Sequence, residues 1–368
     1  MSLLKKSSNQ ATSFADDLLH WFDLSGRHDL PWQHPKSAYR VWVSEIMLQQ
    51  TQVQTVIPYF ERFISSFPSV KALAETTQDE VLAHWSGLGY YARGRNLHKA
   101  AKIIMSEHDG QFPQAYEDII ALPGIGRSTA AAILSIAFQK KYAILDGNVK
   151  RVLGRYDAVE KWPGEKQTEA QLWQRAEDLM QTERVDDYTQ AIMDLGATIC
   201  RRSRPLCEQC PVKTSCQANR LDKVSSYPVS KPKIEKPTRH AVFLLALNNE
   251  QQVFLQKRPQ KGIWGGLWSL PQFDDDQQLT AILHQQNSQS SPTEMADLEV
   301  MPTFKHSFTH YHLMLQPRRL SVGKEWNLTG QWVPLPQALE MGLPAPIRKL
   351  IEQTEKNDVK KRTLRKNG

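Results

Sequence analysis

Every cysteine of the 368-residue chain, Cys200, Cys207, Cys210 and Cys216, falls within residues 200–216. Thiolates at such spacing could hold Zn²⁺ or an iron–sulfur cluster. Structural zinc sites usually pair two short Cys-x2-4-Cys knuckles, and here only Cys207 and Cys210 form one, an asymmetry that favours iron–sulfur. Two carboxylates also stand in informative settings. Glu45, in "VWVSEIMLQQT", is flanked by Val43, Ile46 and Met47 on a helical pattern with little other charge, a setting that could raise its pKa and keep a proton on it. Asp146, in "YAILDGNVKRVLGR", follows an apolar run and precedes a helical pattern, the place of an N-cap. Such a pair could protonate a leaving group and steady developing positive charge. The competing reading makes Glu45 an ordinary glutamate on the polar stripe of an amphipathic helix.

These residues need a scaffold. From Phe14 to about Ala218 the apolar residues recur at helical spacing, with almost no strand-like alternation. "SSYPVSKPKIEKPTRH", rich in proline and lysine, reads as a linker, and "HAVFLLALNNEQQVFLQKR" beyond it reads as a β-hairpin about "NNEQ". Helical patterns around "QQLTAILHQQ" and "PAPIRKLIEQ" complete a small α/β domain. The expected organisation is therefore multidomain: mainly α over 1–225, a linker at 226–237, an α/β domain over 238–353 and a basic tail at 354–368. The net charge of +7 favours a polyanionic partner without requiring one. No apolar run approaches the length of a membrane span, and the N-terminus lacks the pattern of a secretory signal, so a cytoplasmic, reducing setting is expected.

"DIIALPGIGRSTAAAIL" places Gly124, Ile125 and Gly126 between two helical patterns. Two glycines allow a tight turn whose following helix presents backbone N–H groups to an anion. A Gly-x-Gly alone is feeble, and a plain helix–turn–helix connection competes with it.

Taken together, the cysteine spacing with its neighbours "ATIC" and "PLCEQCP", the hairpin string at 118–137 and the "LDGNVKRV" segment resemble the endonuclease III and MutY family of DNA glycosylases. The resemblance implies a [4Fe-4S] cluster on the four cysteines in the 200–216 loop, structural or redox-sensing in role, and a helix-hairpin-helix that grips DNA through phosphate. Bifunctional members carry a Schiff-base lysine where this chain has Ser128, which cannot form an imine; hydrolysis without an efficient lyase step is expected. By the resemblance Asp146 would stabilise an oxocarbenium ion or bond to it transiently, Glu45 would protonate adenine at N7, and Asn148 would help hold the pair. Lys150 would be a phosphate contact or a solvated charge. Gln50, Thr51 and Tyr90 match segments that insert where a base leaves the stack, with Arg93, Arg95 and Arg201, Arg202 and Arg204 as phosphate partners.

In the second domain "KGIWGGLWSLPQF" resembles the strand region before the catalytic box of Nudix pyrophosphatases, but "DDDQQLTAILHQQNSQSS" lacks the box's clustered glutamates. A Nudix-like fold that binds without hydrolysing is implied. "FKHSFTHYHL" resembles the MutY loop that probes 8-oxoguanine, with Phe308, Thr309 and His310 where the family often shows Phe-Ser-His. The competing reading is an alternating strand with Phe304, Phe308 and Leu313 inward. The expectation as a whole is a monomeric adenine glycosylase acting on double-stranded DNA with adenine opposite 8-oxoguanine or guanine. A pyrimidine glycosylase and lyase would instead show lysine at 128 and no second domain.

Overall fold

The computed structural model describes residues 13–231, 235–287, 298–322 and 328–366, without the side chains of 286–287 and 357–366. Residues 232–234 of the expected linker, and the side chains of the expected basic tail from 357 onward, lie outside the described residues. The chain forms two compact units, residues 1–72 with 99–233 and residues 73–98 with 234–368. Among the described residues no helix is long and apolar enough to cross a membrane.

Every regular element among the described residues of the first unit is a helix. A capping box of Ser13 and Asp16 opens the Phe14–Ser25 helix, whose inner face buries Phe14, Leu18, Leu19 and Phe22. Ser37 caps the Ala38–Leu48 helix, which buries Tyr39, Val41, Trp42, Val43, Ser44, Ile46 and Met47. A helix apolar on most of its circumference belongs inside a core. It packs on the Arg127–Phe138 helix, whose run of Ala130, Ala131 and Ala132 is small enough for close approach. The single helical pattern around Glu45 is broken in space: Gln50 adopts φ 59°, and a second helix starts at Val53. That turn exposes Gln50 and leaves Thr51 half-buried at the helix end.

The second unit is built on a sheet of β1 (Thr238–Asn248), β2 (Gln252–Lys257), β3 (Trp268–Ser269), β4 (Gln272–Phe273), β5 (Glu299–Val300), β6 (Phe304–Ser307), β7 (His312–Val322) and β8 (Gln331–Pro334). The main path runs β3-β2-β1-β7-β5, with β4 beside β1, β6 beside β7 and β8 beside β2. β1 and β7 pair in parallel from Thr238↔His312 to Asn248↔Val322, whereas the other pairs are antiparallel. A central strand covered on both faces needs a continuous apolar run, and Ala241 to Asn248 are all buried. The expected hairpin joins β1 to β2, its turn held by the Asn248 side chain, which accepts from the N–H groups of Glu250 and Gln252. Leu279 and Leu283 of the Asp276–Asn287 helix pack on Val242, Leu244 and Ala246. The segment 73–98 belongs to this unit through contacts such as Lys257 with Asp79 at 2.7 Å and the Tyr91 hydroxyl with the Leu343 carbonyl at 3.1 Å.

Candidate active site

Asp146 caps the Gly147–Tyr156 helix: its Oδ1 accepts from the N–H groups of Asn148 at 2.9 Å and Val149 at 2.8 Å. Its Oδ2 accepts from the Asn148 side-chain amide at 3.1 Å. Asn148 is held in turn by Arg151, one turn on, whose guanidinium reaches Asn148 Oδ1 and the Gly196 carbonyl, each at 2.7 Å, and the Cys200 carbonyl at 2.7 Å. Gly196 lies in a short π-helical stretch, Leu195–Ile199, where a Cβ would come within 2.6 Å of Asn148 Cβ. Only a residue without a side chain fits that approach.

Glu45 and Asp146 line one cavity of ≈ 780 Å³ in the first unit, together with Gln50, Thr51, Ser128 and Asn148. The environments of the two carboxyls differ. Desolvation first, and the charge of Asp146 second, push the Glu45 carboxyl up to about 8. Burial also raises Asp146, but its N–H donors and the Arg151 charge pull the other way. The cavity thus favours a carboxylic acid at Glu45 near neutral pH, beside an Asp146 carboxyl whose oxygens accept three hydrogen bonds. Ser128 ties the hairpin helix to this site, its hydroxyl accepting from the Leu145 N–H at 3.1 Å.

At the hairpin, Gly124 has φ 83°, Ile125 is buried, and Gly126 precedes the Arg127–Phe138 helix with no side-chain cap. The first N–H groups of that helix are therefore open to an anion. Lys150 is paired with Glu169 at 2.6 Å. Tyr90 belongs to the other unit, 48% exposed with φ 47° beside Gly89. Arg93 is buried against the Leu88 and Gly89 carbonyls, and Arg95 donates to the Gly265 carbonyl, so both guanidinium groups serve their own unit. Phe308 is half-buried in the second unit, while Thr309 and His310 are exposed.

The cysteine loop requires a correction. Cys200, Cys207, Cys210 and Cys216 line one small apolar cavity, yet among the described residues no group of three or more His, Cys, Asp or Glu side chains is placed to hold a metal ion. The expected [4Fe-4S] cluster, and with it the iron–sulfur loop of the expected fold, is not supported. Burial pushes the Cys210 thiol up to about 12 and raises Cys207 and Cys216. The loop is organised instead by buried Arg155. Its guanidinium donates to the carbonyls of Tyr227 at 2.8 Å, Arg201 at 2.7 Å and Arg202 at 3.3 Å, and to Cys200 Sγ at 3.4 Å.

Sequence reasoning missed Arg27, Trp32, Arg151 and Gln190, which also line this cavity. Arg151 had a signal, since it follows Asn148 by three residues on a helix and so shares its face. Trp32 and Gln190 had none.

Residues 43–178 match the HhH-GPD superfamily of base excision DNA repair proteins, and residues 242–353 match the NUDIX domain. A solved thermostable thymine-DNA glycosylase is 27% identical over 56% of this chain and 95% of its own, with a TM-score of 0.52. The chain is thus a DNA glycosylase, an enzyme that hydrolyses the bond between base and sugar. The chain is 39% identical to the adenine DNA glycosylase of Buchnera aphidicola subsp. Acyrthosiphon pisum, over 94% of this chain and 98% of that one. With the adenine DNA glycosylase of Homo sapiens it shares 34% identity, over 87% of this chain and 69% of that one. The chain belongs to the adenine DNA glycosylase family.

Proposed function

We propose that the chain removes adenine standing opposite 8-oxoguanine or guanine in double-stranded DNA, by hydrolysis without a Schiff base, and leaves an abasic site. The observation that carries this reading is the single cavity that brings Glu45, Ser128, Asp146 and Asn148 together from three separate stretches of chain. The adenine leaves the duplex and enters that cavity. Glu45 passes its proton to N7, the bond from C1′ to N9 breaks with its electron pair going to the base, and the Asp146 carboxylate steadies the positive sugar. Water then adds at C1′ and its proton returns to Glu45. Asn148 positions Asp146, and Ser128 offers no amine for an imine. Gln50, Thr51 and Tyr90 fill the space the base leaves; Gly124, Ile125, Gly126 and Lys150 meet phosphate; Phe308, Thr309 and His310 read the opposite base.

In the same reading residues 1–225 carry base removal, 226–237 join the parts, 238–353 read the lesion and 354–368 form a basic tail. The protein acts as a monomer in the cytoplasm. Single-turnover incubation with duplexes carrying adenine opposite 8-oxoguanine, adenine opposite thymine, or thymine glycol opposite adenine tests it. Alkali-dependent breaks confined to the first are expected; breaks at thymine glycol without alkali would overturn it.

Two smaller predictions arise from the glycines. A side chain at the φ of Gly124 costs about 1–2 kcal/mol, so Gly124→Ala should lower the unfolding free energy by that amount. It should also weaken binding to matched and mismatched duplexes alike, measurable by titration, because phosphate contacts carry no sequence information. Gly196→Ala would press on Asn148 and displace the cap of Asp146. A displacement near 1 Å costs about 10²-fold, so single-turnover base release should fall by that order while duplex affinity holds.

A further inference from the structure

Trp264 stands at φ 56°, a left-handed conformation rare for any residue with a side chain and an outlier for one this large. It is nevertheless only 7% exposed, so its surroundings hold it there. The neighbouring turns explain how: Gly262 and Gly266 also have positive φ, at 91° and 75°, and Arg258 donates from Nε to the Ile263 carbonyl at 3.1 Å. The Leu267 N–H donates back to the Trp264 carbonyl at 3.1 Å. Strain of this kind persists where the rest of the structure over-determines it, and it is found at functional positions.

The indole is spent on one aromatic cluster within the second unit. Its centroid lies 6.2 Å from Phe243 on the central strand β1, 5.8 Å from His306 on β6 and 5.5 Å from Phe308. Phe308 meets His306 edge-on at 4.7 Å and stacks on Tyr311 at 4.9 Å, while Arg239 lies 4.7 Å over the Tyr311 ring. The hairpin turn between β6 and β7 is closed by the Phe308 N–H donating to the Tyr311 carbonyl at 2.9 Å, and Lys236 holds the Phe308 carbonyl at 3.0 Å. That leaves Thr309 and His310 exposed at the tip, with Phe308 as the root that fixes them.

We propose that Trp264, in the loop between β2 and β3, is the positioning residue of this turn: its left-handed backbone seats the indole between Phe243 of β1 and Phe308, and the contact sets where Phe308, Thr309 and His310 stand. The inference rests on the reading that this turn recognises the base opposite adenine. An aromatic pair is worth about 0.5–1.5 kcal/mol beyond its burial, which corresponds to a 2- to 12-fold effect on whatever the turn discriminates.

The test compares full-length wild type with Trp264→Gly, Trp264→Asn, Trp264→Phe and Phe308→Ala. The readout is the ratio of single-turnover adenine release opposite 8-oxoguanine to that opposite guanine, with a thermal unfolding curve for each. Gly and Asn both accept a left-handed backbone while deleting the ring. Each is expected to cut the ratio about 2- to 12-fold, and Trp264→Phe to restore part of it. If neither deletion folds, Trp264→Phe decides alone, since a ratio equal to wild type overturns the proposal. A ratio that falls in Phe308→Ala but not in a folded ring deletion also overturns it, while the recognition role of the turn stands. A wild type without preference for 8-oxoguanine overturns the underlying reading instead.

Discussion

Replacing Glu45 with glutamine is expected to yield a protein that releases adenine about 10²–10⁴-fold more slowly, the usual contribution of a positioned acid, and that is more stable than its parent at pH 8. The second half follows from the same burial as the first. The folded chain holds this carboxyl at about 8, above its ordinary 4.5. A raised folded pKa contributes stability that is complete below pH 4.5 and is lost as pH rises to 8. Glutamine has no charge to lose. The difference in unfolding free energy between variant and parent should therefore grow in favour of the variant from pH 5 to pH 8, by on the order of 2–4 kcal/mol. Denaturant titrations at the two pH values measure it directly. Base release by the parent should fall about tenfold per pH unit above 8, as the acid form of Glu45 disappears. A glutamine variant that is both active and pH-insensitive would show that Glu45 is not the acid.

Asp146→Asn is expected to lose about 10²–10³-fold in base release, the cost of removing one electrostatic group aimed at a developing charge. Its fold should survive, because asparagine caps a helix about as well as aspartate and can still accept from the Asn148 and Val149 N–H groups. The loss should reach Glu45 as well. The Asp146 charge is the second cause of the raised Glu45 pKa, so without it the alkaline limb of the residual rate should move to lower pH. Single-turnover rates across pH 6–10, with duplex affinity measured alongside, distinguish this from a variant that has merely unfolded. An alkaline limb left at its original position would separate the two carboxyls energetically and undo the shared-site account.

Much of this site could be read before any coordinates. Asp146 announced itself through an apolar run followed by a helical pattern, and Glu45 through its apolar neighbours; both are local signals. The hairpin between β1 and β2 was equally local, since Asn248 and the residues after it carry their own turn chemistry. What stayed hidden depends on residues far apart in the chain. The parallel pairing of β1 with β7 joins Thr238 to His312, and no pattern in either strand names its partner. Arg93 and Arg95 read as phosphate partners because they are basic, and the carbonyls that engage them could not be foreseen. The cysteine loop failed for a related reason: spacing describes a ligand set, but whether the side chains are placed to hold an ion depends on how the loop packs, here around Arg155.

The chain order of the second unit sets a condition on how the protein is made. Residues 73–98 leave the ribosome long before residues 234–368, with which they form one compact body. At about 5–20 residues per second the wait from Tyr91 to Leu343 is roughly 13–50 s. Throughout it Leu82 lacks Gly342, and the Tyr91 hydroxyl lacks the Leu343 carbonyl. The nascent chain therefore carries an apolar segment that lacks its partners until the second unit is made. Cutting the chain at the linker makes that temporary state permanent. A shortened protein ending near residue 233 should aggregate through 73–98, and solubility should return when residues 234–368 are supplied as a separate chain.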